Sequence, residues 1–314
     1  MTTEAELHST TAPDRDMPHA NTTTKVCTTR QTGSLGKQTQ QGVTLLELMV
    51  GVAIGLLVVA VATAALMTSR GLTGTVSDAT GIQQQAAYAL RVIGQQMRQA
   101  GSIYLNLNPG SLPGGDPTLA AVAFEFKADA VGGGNAFDLK DTTHIISGTG
   151  TSLAPGYQRY RDAVFTNAST QSLSRNCVGA PGGTSTDQRI ENTFQLTGHE
   201  LRCGGNGAAA QAVIQNVANF QVRYLIQDNS ALGDSKVRYS ATAPSDMGTV
   251  QAVEVCLVLY GSEPMDIPAG STYTDCDGTS VAFNSLAGAR NNRMHLLFRE
   301  VYQLRSQGLL GSVL

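Results

Sequence analysis

The sequence lacks several features that are typical of enzymes and of nucleic-acid-binding proteins. It contains no Trp, only 5 His, and charged residues make up 14% of its 314 residues. The formal net charge is -3, so there is no excess of basic residues with which to bind nucleic acid. Apolar residues nevertheless make up 41% of the chain, which excludes a wholly disordered protein. The length predicts one large or two small domains.

Motifs of common catalytic and metal sites are also absent from the sequence. His144, His199 and His295 are isolated, with no H-E-x-x-H pair and no G-x-S-x-G sequence. The glycine-rich segment 179–185 lacks the Lys of a phosphate-binding loop, so we expect a surface loop there. Segments 228–230 and 275–278 offer oxygen ligands without EF-hand spacing and predict Asx turns. We therefore expect no enzyme activity, no cofactor and no metal.

The five cysteines predict disulfides rather than a metal site, because none of them forms a C-x-x-C pair. Cys27 precedes a long apolar run, and the other four follow it: Cys177, Cys203, Cys256 and Cys276. An even set on one side of a membrane is typical of two disulfides in an oxidising compartment, and four buried free thiols are the alternative. Of the three possible connectivities, sequence proximity favours Cys177 with Cys203 and Cys256 with Cys276.

The long apolar run covers residues 43–67, and its only ionisable side chain is Glu47. As a helix it is about 37 Å long, enough to cross a hydrocarbon core of about 30 Å. A signal peptide is the alternative, because Ala62, Ala64 and Ala65 provide a possible cleavage site. The Glu near the start of the run, and the helical pattern that continues beyond it, favour a transmembrane helix.

Residues 1–42, in front of the run, are polar and predict a disordered leader. All of its acidic residues precede Met17, and three of its four basic residues follow it. The part nearest the membrane is therefore basic, which predicts a cytoplasmic N-terminus. Either Met1 or Met17 can be the true start, and N-terminal sequencing of the uncleaved precursor would distinguish them.

Beyond the run, residues 68–101 predict the amphipathic half of the same helix. Apolar residues recur at helical spacing, at Ile82, Ala86, Ala89, Leu90, Ile93 and Met97. Polar residues occupy the opposite face, and Gly101 is a plausible stop. The apolar run and this amphipathic segment together predict one helix of about 55 residues.

Residues 102–314 predict a β-rich domain. After a proline-containing loop at 106–117, apolar and polar residues alternate around 122–127, 220–227 and 253–259, as in the half-buried strands of an antiparallel sheet. Tracts rich in Gly, Ser, Thr and Asn, such as 147–156 and 179–187, are expected between the strands, and residues 294–305 fit either a strand or a helix. The predicted fold class is α+β, a long helix packed on an antiparallel sheet with long loops.

The start of the apolar run resembles the cleavage motif of type IV prepilins and type II secretion pseudopilins. Gly42 is followed by Val43-Thr44-Leu45-Leu46-Glu47 and about twenty apolar residues. In these families a membrane-embedded prepilin peptidase cuts after the Gly, and the new N-terminal residue is methylated. The resemblance implies cleavage between Gly42 and Val43, and N-methylation of Val43, which departs from the usual Phe.

Glu47 matches the Glu of that motif, which is the fifth residue of the mature chain. A carboxylate inside lipid is costly, which makes Glu47 a candidate functional residue, with the α-amine of a neighbouring processed subunit as its partner. The alternative is a Glu that reaches the membrane interface or is protonated. Gly51 and Gly55 form a G-x-x-x-G pattern, which allows helices to approach closely.

The later sequence resembles the PilW minor pilins, patchily after residue 100. The resemblance rests on residues 83–101, 176–179, 201–203, 214–224, 250–255 and 298–301. It implies an inner-membrane precursor that joins other minor pilins and the major pilin. It also implies a complex that primes pilus assembly and, at the pilus tip, can hold a large adhesin. The same resemblance favours a strand for 296–304.

Two other interpretations stay open at the level of the sequence. One is a J-type pseudopilin of type II secretion. The other is a membrane-anchored periplasmic enzyme or glycan-binding domain, against which Gly42 and Glu47 argue because an ordinary anchor needs no carboxylate. The sequence leaves open the partners, the position in the filament, and whether the pilus serves motility, adhesion or DNA uptake.

Overall fold

The computed structural model of the protein describes residues 42–106, 123–163, 170–231 and 234–304. The predicted leader up to residue 41, with Met17 and Cys27, lies outside these residues, as does most of the predicted loop at 106–117. The described residues divide into two units, and the boundary between them falls within the first helix, between Ala60 and Val61.

The long helix α1 spans Leu45–Gln99 and has the 55 residues that the sequence pattern predicts. Thr44 caps its N-terminus, because the Thr44 hydroxyl accepts a hydrogen bond from the Glu47 N–H at 3.3 Å. At the other end, Gly101 has a φ of 69°, a left-handed conformation that glycine adopts at little cost after a helix.

The apolar start of α1 exposes its side chains. Leu45 and Leu46 are 76% and 75% exposed, and the large apolar residues as far as Met67 are exposed as well. This part of the helix is long and apolar enough to cross a membrane, with a mean hydropathy of 2.6. So large an apolar surface is stable only in lipid or against other apolar helices.

The second half of α1 buries the stripe that its periodicity predicts. Ile82, Ala86, Ala89, Ile93 and Met97 are each at most 3% exposed. They recur every three or four residues and therefore share one face of the helix. The polar residues of the opposite face are exposed.

Eighteen strands accompany the helix in the described part of the chain. In chain order they are β1 Tyr104–Asn106, β2 Ala123–Glu125, β3 Lys127–Ala128, β4 Phe137–Asp138, β5 Ile146–Thr149, β6 Ser152–Gln158, β7 Asp162–Ala163, β8 Thr170–Gln171, β9 Arg189–Glu191, β10 Thr193–Thr197, β11 Glu200–Gly205, β12 Ala208–Ile214, β13 Val217–Ala231, β14 Asp234–Ser240, β15 Val250–Pro264, β16 Thr272–Thr274, β17 Ser280–Ala282 and β18 Arg293–Gln303. Short 3-10 turns lie at Thr142–His144, Met247–Thr249, Phe283–Ser285 and Gly288–Arg290.

The main sheet has four antiparallel strands in the order β14-β13-β15-β18. Alternate residues of its central strands, such as Val253, Val255 and Leu257, share one buried cluster with the α1 stripe. The opposite face of β15 contributes Cys256 and Val258 to a second, smaller cluster. The central strand β15 is therefore buried on both faces. A long helix followed by an antiparallel sheet domain is the α+β fold class expected from the sequence.

A second sheet runs in the order β12-β11-β10-β6-β5, and β9 also pairs with β6. The expectation that residues 147–156 lie between strands is wrong, because β5 and β6 form a hairpin there. Leu153 is fully buried in the main core, and Gly148, at a φ of 138°, passes so close to the Ser152 carbonyl that a side chain would collide with it. The small residues of this tract serve close packing rather than loop flexibility.

Three further expectations are decided by the strands and turns. Residues 293–303 form the strand β18, as the resemblance to PilW favoured. The turn expected at 228–230 is wrong, because β13 runs through it with a register shift between Asp228 and Ala231. The turn expected at 275–278 is present, with the Asp277 carboxylate accepting hydrogen bonds from Thr279.

Candidate processing and assembly site

The residues of the expected cleavage motif lie at the very start of the described chain. Gly42, Val43 and Thr44 precede the helix and have no regular secondary structure, and Val43 is 70% exposed. A peptide bond in such a segment is accessible to a peptidase without unwinding a helix. The Gly42–Val43 bond therefore lies in an exposed, non-helical segment directly in front of α1.

Glu47 occupies the first turn of α1, at the third helical position after the cap. Thr44 and Glu47 match the T-x-x-E sequence of a capping box, in which the Glu side chain can reach back to the backbone of the capping residue. Only the Thr44 half of that box is formed: the Thr44 hydroxyl accepts from the Glu47 N–H, whereas the Glu47 carboxylate does not bond back to Thr44. Among the described residues the carboxylate has no hydrogen-bond or ion-pair partner, so it remains available to another group.

Thr44 is a functional candidate that the motif-based prediction missed. Its signal was present in the sequence as a Thr three residues before a Glu at the start of an apolar run. The cap satisfies one of the free N–H groups of the first turn, which is most valuable where the helix end lies near lipid.

Gly51 and Gly55 lie one turn apart on α1, and no other group lies within 4 Å of where a side chain would begin at either position. They leave a shallow, open strip on the helix. Such a strip allows a second helix to approach closely.

The two disulfides have the connectivity that sequence proximity favours, Cys177–Cys203 and Cys256–Cys276. The first joins a loop to β11, and the second joins β15 to the turn between β16 and β17. Around the second disulfide, the guanidinium groups of Arg223 and Arg299 each donate to the Cys276 carbonyl at 2.9 Å. Both disulfides therefore fix loops that lie over the sheets.

Two of the isolated histidines, His144 and His295, form hydrogen bonds with backbone groups of the sheet domain. His295 is 6% exposed, stacks on Tyr273 at 4.5 Å between ring centroids, and shares a hydrogen bond with the Arg293 carbonyl. Burial lowers its pKa below the ordinary value. His144 accepts a hydrogen bond from the Asp138 N–H at 3.0 Å. Across the described ranges, no three His, Cys, Asp or Glu side chains are grouped so as to hold a metal ion.

The glycine-rich segment 179–185 is a loop, as expected. The carbonyls of Gly182, Gly183 and Ser185 turn inward onto the buried guanidinium of Arg159, at 2.8 to 3.0 Å. A phosphate-binding loop presents N–H groups to an anion, whereas this loop presents carbonyl oxygens to a cation. The loop is therefore held in place by Arg159 rather than by a nucleotide.

Two family models match the chain. Residues 37–63 match the prokaryotic N-terminal methylation motif, which contains Gly42, Val43 and Glu47, and residues 183–306 match PilW, described as Type IV Pilus-assembly protein W. A type IV-like pilin from Thermus thermophilus is similar at 15% identity and a TM-score of 0.26, over 50% of this chain and 81% of that one. No curated protein sequence matches the chain.

The chain is therefore similar, at the start of α1 and over the second part of the sheet domain, to type IV pilin-like proteins. Its globular part contains a PilW domain, and the resemblance to PilW minor pilins predicted from the sequence is confirmed.

Proposed function

We propose that the chain is a minor pilin, a membrane-anchored precursor that a prepilin peptidase processes before it joins a type IV pilus. The observation that carries this proposal is Glu47, a carboxylate with no partner among the described residues, in the first turn of an exposed apolar helix and five residues after Gly42. The description of the matching family as a pilus-assembly protein supports the same role.

Processing is the first step of the proposal. The peptidase cuts between Gly42 and Val43, and the amine of Val43 is then methylated. The basic residues between Met17 and Gly42 keep this end on the cytoplasmic side of the inner membrane, with the globular part in the periplasm and later on the extracellular pilus.

Cleavage creates a charge that the precursor lacks. The new α-amine of Val43 is a cation at the end of an apolar helix, and the Glu47 carboxylate of a neighbouring subunit is its natural partner. At 4 Å and an effective dielectric constant of 20, such a pair gains about 4 kcal/mol. Leaving either charge unpaired in a helix bundle is strongly unfavourable, so pairing selects processed subunits for assembly.

Beyond the helix, the proposed role is structural. The PilW domain joins other minor pilins and the major pilin in a complex that primes the pilus, at the tip of which it can hold an adhesin. Its loops present surface for these contacts, and no catalytic role is assigned to them. A J-type pseudopilin of type II secretion is the alternative within the same class.

Replacement of Glu47 tests the assembly step separately from cleavage. Glu47→Ala and Glu47→Gln should leave processing at Gly42 intact, since the scissile bond lies four residues away, and should strongly reduce the amount of protein in sheared pili. Leu48→Ala, one residue along the same helix, is the matched control and should assemble normally. Wild-type recovery of both Glu47 variants from sheared pili would contradict the proposal.

A further inference from the structure

A groove lies between the outer face of α1 and the edge strand β18. Its volume is about 470 Å³, and its lining includes Ala87, Leu90, Arg91, Arg98, Phe298 and Tyr302. The Tyr302 hydroxyl donates to the Leu90 carbonyl at 2.6 Å, and the Tyr302 ring lies against Gly94, where a side chain would not fit. These contacts fix the two walls of the groove relative to each other.

One side of β18 is an open strand edge in the described part of the protein. β18 is the last strand of its sheet and pairs only with β15. The Leu304 N–H donates to the Gln251 carbonyl at 2.9 Å, which fixes which residues face β15. Because the bonding direction alternates along an antiparallel strand, the backbone groups of Leu297, Arg299 and Val301 point away from β15, towards the free edge.

The other sheet edges are shorter, charged or blocked. β5 has four residues, and β14 carries Lys236 and Arg238. β12 has two register shifts, and the Arg202 guanidinium covers its Ala210 carbonyl. These are common devices against strand addition. At eleven residues, β18 is the longest edge strand among them.

The charge of the groove selects what can occupy it. Arg91 and Arg98 are exposed on the α1 wall, and neither forms an ion pair with a described residue, whereas Glu300 is the one acidic residue of the lining. An exposed arginine on a helix is ordinary by itself. Two unpaired arginines beside an open strand edge, above an apolar floor, favour an extended ligand with carboxylates on one face.

We propose that β18 and the adjoining face of α1 form a docking site for an extended acidic segment of a different protein. That segment adds a strand to the edge at Leu297, Arg299 and Val301. Its carboxylates then meet Arg91 and Arg98. The backbone ladder supplies most of the affinity, and the arginines supply selectivity, because exposed ion pairs are individually weak.

Neither a described strand edge of a second copy nor the C-terminal segment of this chain carries the net negative charge that the groove favours. Of the other edge strands in the two larger sheets, β5 and β12 carry no charged residue, β9 carries one basic and one acidic residue, and β14 carries two basic residues and the acidic Asp234, so a second copy offers no described edge with a net negative charge. Residues 305–314 contain Arg305 and no acidic side chain. Charge complementarity therefore favours a partner other than this protein.

Peptide binding to the full chain in detergent tests the proposal. The probe is an eight-residue peptide of alternating Val and Glu, compared with matched peptides that carry Gln or Lys in place of Glu. We expect the Glu peptide to bind at least tenfold more tightly than the Lys peptide and to slow amide exchange at Leu297, Arg299 and Val301. Equal affinity for the Glu and Lys peptides, or unchanged exchange at these amides, would overturn it.

Charge reversal and an edge variant sharpen the result. Arg91→Glu combined with Arg98→Glu should reverse the preference towards the Lys peptide, while Arg238→Glu on β14 should not change it. Val301→Pro removes an outward N–H without removing a bond to β15, and it should abolish binding. If that variant does not fold, the charge reversal decides alone.

Self-association of the wild type that Val301→Pro removes would overturn the proposal in favour of a second copy. Glu47→Ala should leave peptide binding unchanged, which separates this test from that of the minor-pilin role.

Discussion

Two polar side chains in apolar surroundings, Glu47 and His295, have opposite roles in this molecule. Glu47 has no partner among the described residues and lies on an exposed apolar helix. The free-energy cost of its carboxylate in apolar surroundings can therefore be offset only by a group from another molecule. His295 is enclosed by Tyr260, Tyr273 and Phe283 and has one ring nitrogen bonded to the Arg293 carbonyl. The first is poised for a partner, and the second is part of the core.

The surroundings of His295 predict a pH-dependent stability. Burial, and to a smaller extent Arg290, lower its pKa in the folded protein, and the Arg293 carbonyl and Asp275 only partly oppose this. Between the folded and unfolded pKa values the unfolded chain binds more protons, so the free energy of unfolding is fully retained above about pH 6.5 and falls as the pH drops below it. Denaturant unfolding between pH 5 and 8 should show this slope.

The matched variant for this prediction is His295→Phe, which fills the same aromatic site without titrating. Its slope should be shallower than that of the wild type, with the remainder coming from His144, whose pKa burial also lowers. An unchanged slope in the variant would show that His295 does not contribute.

How far single residues are predictable depends on the range of the interactions that define them. Glu47 stands out in the sequence because its apolar neighbours are contiguous, and Thr44 was equally visible as part of T-x-x-E. The burial of His295 was not visible, because Tyr273 and Phe283 come from a segment whose packing depends on the fold. Likewise, the isolation of Arg159 in sequence gave no sign that the loop at 182–187 closes over it.

The elements of this fold divide into those set by local pattern and those set by distant contacts. The α1 stripe was predicted correctly because the 3.6-residue period is a property of the segment itself. The hairpin of β5 and β6 was missed because its Gly, Ser and Thr composition is typical of loops. The hairpin forms because Leu153 is buried against residues far along the chain.

The buried stripe makes a prediction for α1. Ile93 is fully buried, so Ile93→Asp places an unpaired charge in the core at a cost of several kcal/mol, comparable to the 5–15 kcal/mol stability of a typical domain. We expect the globular part to unfold, as measured by limited proteolysis and near-UV circular dichroism. Gln95→Asp, two residues away on the exposed face, is the control and should remain folded. A native-like Ile93→Asp protein would contradict the packing of α1 on the sheet.

The disulfides make a separate prediction for the loops that they close. The sequence separations of 26 and 20 residues correspond to about 3 kcal/mol of stabilisation each in the chain-entropy description. The double replacement Cys177→Ala with Cys203→Ala should therefore lower the free energy of unfolding by about that amount. Peptide mapping without reduction should recover Cys177 linked to Cys203, and a link between Cys177 and Cys256 would refute this connectivity.

The whole molecule combines an apolar helix start with a domain that exposes loops and, among its described strands, the long edge strand β18. The strand pairing of the two larger sheets was not predictable from the sequence, because neighbours such as β13, β15 and β18 come from separate parts of the chain. The class of protein was predictable, since Gly42, Glu47 and the apolar run form a contiguous pattern. The proposed function depends on one covalent event, the cleavage between Gly42 and Val43 that creates the start of the mature chain.

That event is tested most directly by the mass of the N-terminal peptide of the protein, expressed with and without a prepilin peptidase. With the peptidase, the chain should begin at Val43 and carry an N-methyl group. Without it, residues in front of Gly42 should remain attached. An N-terminus that is the same in both cases, or one generated by cleavage near Ala62 or Ala64 as after a signal peptide, would contradict the proposal that the protein is a processed pilin.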